Sequence, residues 1–515
     1  MLMKTPAAAM QAAAAAGGAG APLAIVIGSG FGGLAAAVRL LARGYRVRVL
    51  EKLDAPGGRA YVYRRDGHVW DAGPTIVTVP FLFDELWAKV GRRFADDVRM
   101  VELDPFYRIR FPDGDHFDYS GDPQKMRAEV TRICKDDLPG FERFAAAADH
   151  CYRLGFEALG CQPFTTVGDL LRAVPSLARM QGWRNLYGMV SQHMRHPKLR
   201  IAFSLQSLLI GGNPFSVTCV YSLINALERR YGVHWAMGGT GELARGLVSL
   251  IEGAGGEMRY GQEVRRIEVD DGRATGVTLA DGTRMAADLV VCNGDTAWTY
   301  RHLIEPRHRR HWTDARIERG RYSMSLFVWY FGTDRQWPEV PHHMMVLGPR
   351  YRELLADIFR KHRLAEDFSL YLHRPTATDP SMAPPGRDTF YALSPVPHLG
   401  SGTDWPTHAE TYRRAIQEAL ERTVLPGLGR HVTQSFVTTP QDFHDRLLSY
   451  QGAAFGLEPL LLQSAWFRPH NTSEDVRGLY MVGASTHPGA GVPGVLMSAK
   501  ALDAVLPDAV DWRRS

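Results

Sequence analysis

The spacing of apolar and polar positions changes along this chain, and each change marks an element. Leu23-Ala24-Ile25-Val26-Ile27 is a short apolar run rich in β-branched residues, the pattern of a strand buried on both faces. Leu34 to Arg43 follows with helical spacing and stops at Gly44, and Val47 to Leu50 is a second apolar run. This order predicts strand, helix and strand. Farther on, Met258 to Val269, Ala274 to Leu279 and Met285 to Cys292 are strand-like, separated by Asp271-Gly272 and Asp281-Gly282. Asp-Gly between such runs predicts hairpins. Ala287 to Cys292 leads into Asn293-Gly294-Asp295 as a strand re-entering the first sheet would, and Leu479 to Val482 leads into Gly483 ahead of a helix over Gly494 to Leu506.

Residues 23–115, 231–299 and 471–515 are therefore expected to build one α/β domain from three separate stretches. Between them, 116–230 reads as a helical region and 300–470 as a second domain for substrate. Residues 1–22 are mostly alanine with glycine and proline, and are expected to form a disordered tail.

The junction after the first strand is Gly28-Ser29-Gly30-Phe31-Gly32-Gly33. In a strand–turn–helix unit the first glycine permits the tight turn, the second lets backbone approach a pyrophosphate, and the third lets helix and strand pack closely. The helix amino end offers unpaired N–H groups to a diphosphate. Glu51 stands at the end of the second strand, where a carboxylate accepts both ribose hydroxyls. A second glycine turn, Asp54-Ala55-Pro56-Gly57-Gly58-Arg59-Ala60, ends in an arginine able to reach a phosphate. Nicotinamide enzymes do not usually carry that turn.

Composition narrows the reading further. Hydrophobic residues are 45% and charged residues 22% of 515, enough for a sizeable core. The net charge of +5 is too small to imply a nucleic-acid partner. Five cysteines without a C-x-x-C pair suit a reducing compartment. No apolar run is long enough to span a bilayer. Yet from Leu170 to Leu227 there is no acidic residue, while Arg172, Arg179, Arg184, Arg195, Lys198 and Arg200 are all basic and Trp183 and Tyr187 lie among them. Such a segment suits the surface of an anionic membrane, although a core helix pair with a basic outer face has the same composition. The pairs His308/His311 and His342/His343 lack a convergent carboxylate or cysteine. They are expected to be exposed, and no metal site is expected.

Motifs spread over the whole chain carry a resemblance. AIVIGSGFGGLAAAVRL, EKLDAPGGRAYVYRRDGHVWDAGPT, GPRYREL, LAEDFSLYLH and LYMVGASTHPGAGVPGVLMSAKAL are among them. The sequence resembles the bacterial and fungal-type phytoene desaturases, carotenoid desaturases of the flavin amine oxidase superfamily, from about Leu23 to Leu506. The resemblance implies an α/β fold: a Rossmann-like FAD-binding domain assembled from discontinuous segments, a mixed-sheet substrate domain and a helical membrane-facing part. Carried onto this sequence, it implies FAD contacts at Gly28, Ser29, Gly30, Phe31, Gly33, Glu51, Lys52, Gly58 and Arg59. Further contacts fall at Gly73, Pro74, Thr75, Val264, Gly483 and Val492. Ser485 departs from the glycine expected there, and Ala484 offers no carboxylate.

The implied activity is FAD-dependent desaturation of phytoene or a related carotenoid, by hydride transfer to flavin. The enzyme would sit peripherally on the cytoplasmic face of the membrane, with quinone or dioxygen as electron acceptor. Two alternatives stand beside it: a desaturase or isomerase acting on another carotenoid, and a non-catalytic prenyl-lipid binding protein of the same fold. No catalytic acid or base is assigned. His487 either accepts a proton beside the cofactor or is held by backbone.

Overall fold

The computed structural model describes residues 20–512. The expected disordered tail at residues 1–22 thus lies almost wholly outside the described residues. A five-stranded parallel sheet organises the front of the molecule, with strands in the spatial order Leu479–Met481, Leu289–Cys292, Leu23–Ile27, Arg46–Leu50 and Glu257–Arg259. Its register pairs Ile27 with both Leu50 and Cys292, and Cys292 with Met481. Four carboxyl ends therefore coincide, although their sequence positions span more than 450 residues. That edge is where ligands bind in open α/β sheets.

The helix Phe31–Ala42 packs on this sheet through Leu34, Ala35, Ala36, Ala37 and Val38, all fully buried. The small alanines let the carboxyl-terminal helix Val492–Lys500 lie close beside it. The Asp271-Gly272 turn has positive φ at both residues (42° and 69°), as a two-residue hairpin turn requires. It joins Val264–Asp270 to Arg273–Leu279. The expected strand Met258 to Val269 is in fact two. Glu257–Arg259 completes the parallel sheet, and after a turn at Gly261 (φ 67°) the chain starts the hairpin at Val264. Met285 to Cys292 divides likewise, into Arg284–Ala286 and Leu289–Cys292.

A seven-stranded sheet forms the second layer, ordered Val432–Thr438, Ser325–Thr333, Asp388–Val396, Leu370–His373, His343–Val346, Tyr107–Arg110 and His116–Tyr119. All neighbours are antiparallel except His343–Val346 with Tyr107–Arg110. Ser325–Thr333 is buried throughout, so both its faces are covered. Phe327, Trp329 and Phe331 share one core with Trp405, Tyr412 and Ile416 of the helix Trp405–Thr423. Leu326 and Tyr330 face the other way, into the cavity described below. The strand Tyr107–Arg110 corrects the expectation that 23–115 belongs wholly to the nucleotide part. It is captured by the second sheet through parallel pairing with a strand more than 230 residues away.

Helices between residues 123 and 231 close one side. The helix Val167–Arg179 opens with a capping box, in which Asp169 accepts from the Thr166 backbone N–H. No helix among the described residues is long and apolar enough to cross a membrane. The expectation of exposed histidines at 342 and 343 is overturned: His342 is 5% exposed and His343 not at all, because His343 enters the second sheet opposite His373 and His342 packs its ring against both. His311 is exposed and His308 half-buried.

Candidate active site

One cavity of about 1020 Å³ runs from the coincident strand ends to the second sheet and the helical region. That volume is at or above the top of the range of small-molecule sites, about 300–1,000 Å³. Its polar end is built by the two glycine turns. Gly57 N–H donates to the Ser29 carbonyl at 2.9 Å, which lays the second turn on the first. At Gly58 (φ 57°) an added Cβ would stand 3.5 Å from Gly30 Cα. Glu51 is buried and accepts from the Ser29 N–H (2.7 Å), the Ser29 hydroxyl (2.6 Å) and the Leu53 N–H (2.8 Å). It thus fixes the loop it was expected to accompany.

Gly28, Gly30, Phe31, Glu51, Lys52, Gly58, Arg59, Gly73, Pro74, Thr75, Val264 and Val492 all line this cavity. Ser29, Gly33 and Gly483 lie just behind its wall. Ser29 is turned to Glu51, and a Cβ on Gly33 would overlap the Gly28 carbonyl oxygen. Gly483 (φ 104°) abuts Asn293, with 2.7 Å between its hypothetical Cβ and Oδ1. The Lys52 ammonium lines the cavity but donates to the Asp445 carbonyl at 2.7 Å.

Asn293 is the feature the glycine pattern did not reveal. Its side chain lies against Gly28, Gly30, Gly32, Gly33 and Gly483, so a Cβ on Gly30 would meet Asn293 Nδ2 at 2.8 Å. The glycines serve this packing as well as any approach by a phosphate. Asp295, two residues on, is buried and caps the turn Thr296–Trp298 through Oδ1 at 3.0 Å, while Oδ2 accepts from the Ser485 hydroxyl at 2.7 Å. Ser485 is therefore used here, where the resemblance led us to expect a glycine. The available signal was positional: residues following each parallel strand must converge.

Arg59 provides a test of fit for an anionic cofactor. Arg59 is half-buried, donates to Ser449 Oγ at 2.9 Å and leaves a buried Nε without a partner. Burial lowers its pKa, opposed by the charge of Asp295. A half-buried, incompletely paired arginine beside a glycine cradle suits a diphosphate. The segment after it is fixed from the second sheet. Thr75 Oγ1 hydrogen-bonds the Tyr371 and Tyr391 hydroxyls at 2.8 and 2.7 Å, and the Tyr330 hydroxyl donates to the Ala72 carbonyl at 3.0 Å. Burial raises the pKa of all three phenols, so they stay neutral. Asp71, buried under the same segment, accepts from the Thr240 N–H at 3.0 Å, and burial raises its pKa to about 6.

Away from this end the wall is apolar, including Leu170, Leu177, Leu227, Met324, Met345 and Leu355. Glu228 also stands on the cavity wall, completely buried, with its pKa pushed up to about 8 by burial. His487 does not line the cavity. It is packed edge-on to Phe164 at 4.9 Å, and burial with the nearby Arg468 charge lowers its pKa to about 3. The ring is thus a weak base set behind the wall.

The helix Val167–Arg179 has two apolar faces. Leu170, Ala173 and Leu177 line the cavity, while Val167 and Leu171 point outward and are 62% and 65% exposed; Val174 does both. Trp183 is also 65% exposed, and Arg179 is exposed as well. Two of the six expected basic groups are paired instead: Arg172 with Asp169 at 2.6 Å, and Lys198 with Asp113 and Asp115 at 2.6 and 2.7 Å.

A family model described as flavin-containing amine oxidoreductase matches residues 31–501. The chain is 49% identical over 492 residues to the neurosporene-forming phytoene desaturase of Rhodobacter capsulatus, covering 94% of each. It is 46% identical over 487 residues to the lycopene-forming phytoene desaturase of a Paracoccus species, covering 94% of this chain and 97% of that one. Among solved structures, an oxidoreductase from Methanosarcina mazei shares the fold with a TM-score of 0.64 at 18% identity, over 94% of this chain and 100% of that one.

Proposed function

We propose, from the premise that this chain belongs to the flavin-containing amine oxidoreductase family and is an FAD-dependent carotenoid desaturase, that its substrate is phytoene taken from a lipid bilayer. The observation that carries this reading is the single cavity joining the glycine cradle to a long apolar chamber. A C40 hydrocarbon has no polar group to grip, so recognition must come from shape and burial, at roughly 25 cal/mol per Å² of apolar surface removed from water.

When bound, FAD supplies the hydride acceptor. The residues that would hold it are the cradle Gly28 to Gly33, Glu51, Arg59, Val264 and the 483–494 segment. Arg59 answers the diphosphate charge. Tyr330, Tyr371 and Tyr391 hold residues 72–75 in place as one wall of the chamber. Because these phenols are neutral, that wall contributes orientation and exclusion of water, not a strong base. Glu228 keeps its proton at neutral pH, which leaves the apolar region uncharged for a polyene.

Entry from the bilayer is assigned to the helix Val167–Arg179, whose outer face exposes Leu171 while its inner face lines the chamber, and to the exposed Trp183. The enzyme would lie peripherally on the cytoplasmic face, held by this patch and by Arg179 and Arg184, and quinone or dioxygen would reoxidise it there. The test is anaerobic incubation of the FAD-loaded protein with phytoene in liposomes. Flavin bleaching with a stepwise red shift of the polyene is expected. Bleaching by a different carotenoid but not by phytoene would reject phytoene as substrate.

A further inference from the structure

Three histidines that the cofactor site does not use meet inside the second sheet. His343 and His373 are cross-strand partners on His343–Val346 and Leu370–His373, and His342 turns its ring to the same place, with centroids 4.5 Å from His343 and 5.0 Å from His373. All three are buried, and the indole of Trp235 packs on the rings of His342 and His373 at 4.7 and 5.2 Å. One ring nitrogen from each residue lies within 4.8 Å of the other two.

The hydrogen bonding of this cluster is incomplete in a specific way. His342 Nδ1 is paired with the Thr378 hydroxyl and His343 Nδ1 with the Tyr371 hydroxyl, both at 2.7 Å. His342 Nε2 and His373 Nε2 face each other at 3.2 Å. His343 Nε2 and His373 Nδ1 are buried with no partner. Buried polar groups are normally satisfied, and a bare histidine trio cannot manage it. A cation held by the three Nε2 atoms would take up the His343 lone pair together with those of His342 and His373, leaving His373 Nδ1 alone without a partner. Two ligands at about 2.0–2.1 Å from a tetrahedral zinc ion stand about 3.3 Å apart, close to the observed 3.2 Å. Hydrogen bonds on Nδ1, such as those to Thr378 and Tyr371, are how ligating imidazoles are oriented.

We infer that His342, His343 and His373 form a binding site for one first-row transition-metal ion of the imidazole-preferring class, zinc(II) foremost. The all-nitrogen donor set excludes calcium and magnesium, which require oxygen ligands. Tyr371 links the site to the cofactor chamber, since its hydroxyl bonds both His343 and Thr75. The ion would therefore stiffen the wall behind Thr75. This site is independent of which carotenoid the enzyme takes.

The test uses the full-length, FAD-loaded protein produced in zinc-supplemented medium and passed over a chelating resin, with metal per chain measured by plasma mass spectrometry. About one zinc per chain is expected, falling at least about tenfold in His343→Asn and His373→Asn while bound FAD is kept. Zinc-edge X-ray absorption of the wild type should show nitrogen neighbours of imidazole type at about 2.0–2.1 Å. That measurement decides the matter if either variant fails to fold. Wild-type protein carrying less than about a tenth of a first-row ion per chain would overturn the inference. Undiminished metal in a folded variant, or a zinc shell of oxygen or sulfur, would do so too.

Discussion

Glu228 gives the most quantitative prediction. Its carboxyl is fully buried on the chamber wall; one oxygen accepts from the Tyr107 hydroxyl at 2.9 Å and the other has no partner. Burial raises its pKa from 4.5 to about 8. The folded protein therefore holds a proton that the unfolded chain releases across that interval. Stability is full below about pH 4.5 and is lost as the pH rises through about 8. At about 1.4 kcal/mol per pH unit, the loss reaches about 3 kcal/mol by pH 7 and about 5 kcal/mol at its limit. Glu228→Gln removes the titration and retains an acceptor for Tyr107. The variant should match the wild type near pH 5 and melt higher by about 3 °C at pH 7, since 1 kcal/mol moves Tm by about 1 °C in a chain of this length. Scanning fluorimetry of both proteins at a series of pH values reads this directly. A Tm difference that does not grow with pH, or a variant less stable at pH 8, would refute the reasoning. The same titration places an anion in the chamber above pH 8, so wild-type phytoene binding should weaken there while that of Glu228→Gln does not.

Two further outcomes follow from named contacts. Arg59→Ala should lose at least about tenfold in retained FAD after gel filtration, and Arg59→Lys should recover only part of it, because a point charge does not replace a planar fork. Full flavin content in the alanine variant would remove Arg59 from the cofactor site. Leu171→Glu combined with Trp183→Ser should reduce co-sedimentation with anionic liposomes and turnover of liposomal phytoene, and Arg179→Gln with Arg184→Gln should weaken binding chiefly at low salt. Unchanged sedimentation in both pairs would withdraw the entry face.

The glycine turns, the helix after them and the strand beyond were legible because each rests on neighbours within a few residues: Gly28 must turn, Gly33 must let a helix pack, Glu51 must follow a strand. The hairpin at Asp271-Gly272 was legible for the same reason. What escaped depends on distant pairing. Tyr107–Arg110 looks like any short alternating strand until His343–Val346 captures it. His342 and His343 read as surface histidines because nothing nearby in sequence shows that residue 373 lies opposite them. Asn293 was visible as the end of a strand, but its place among five glycines follows only from the register of three parallel strands. His487 drew attention as a possible base, and its burial against Phe164, behind the cavity wall, could not be read from its neighbours in sequence.

The convergence of Ile27, Leu50, Cys292 and Met481 at one sheet edge sets the order of events during synthesis. On the ribosome, Leu23–Ile27 and Arg46–Leu50 emerge close together, and Leu479–Met481 follows more than 400 residues later. The nascent chain must wait with an unfinished sheet margin at Cys292, a row of unpaired backbone groups until Leu479–Met481 docks. A site that draws on all four strand ends is complete only once Leu479–Met481 has docked.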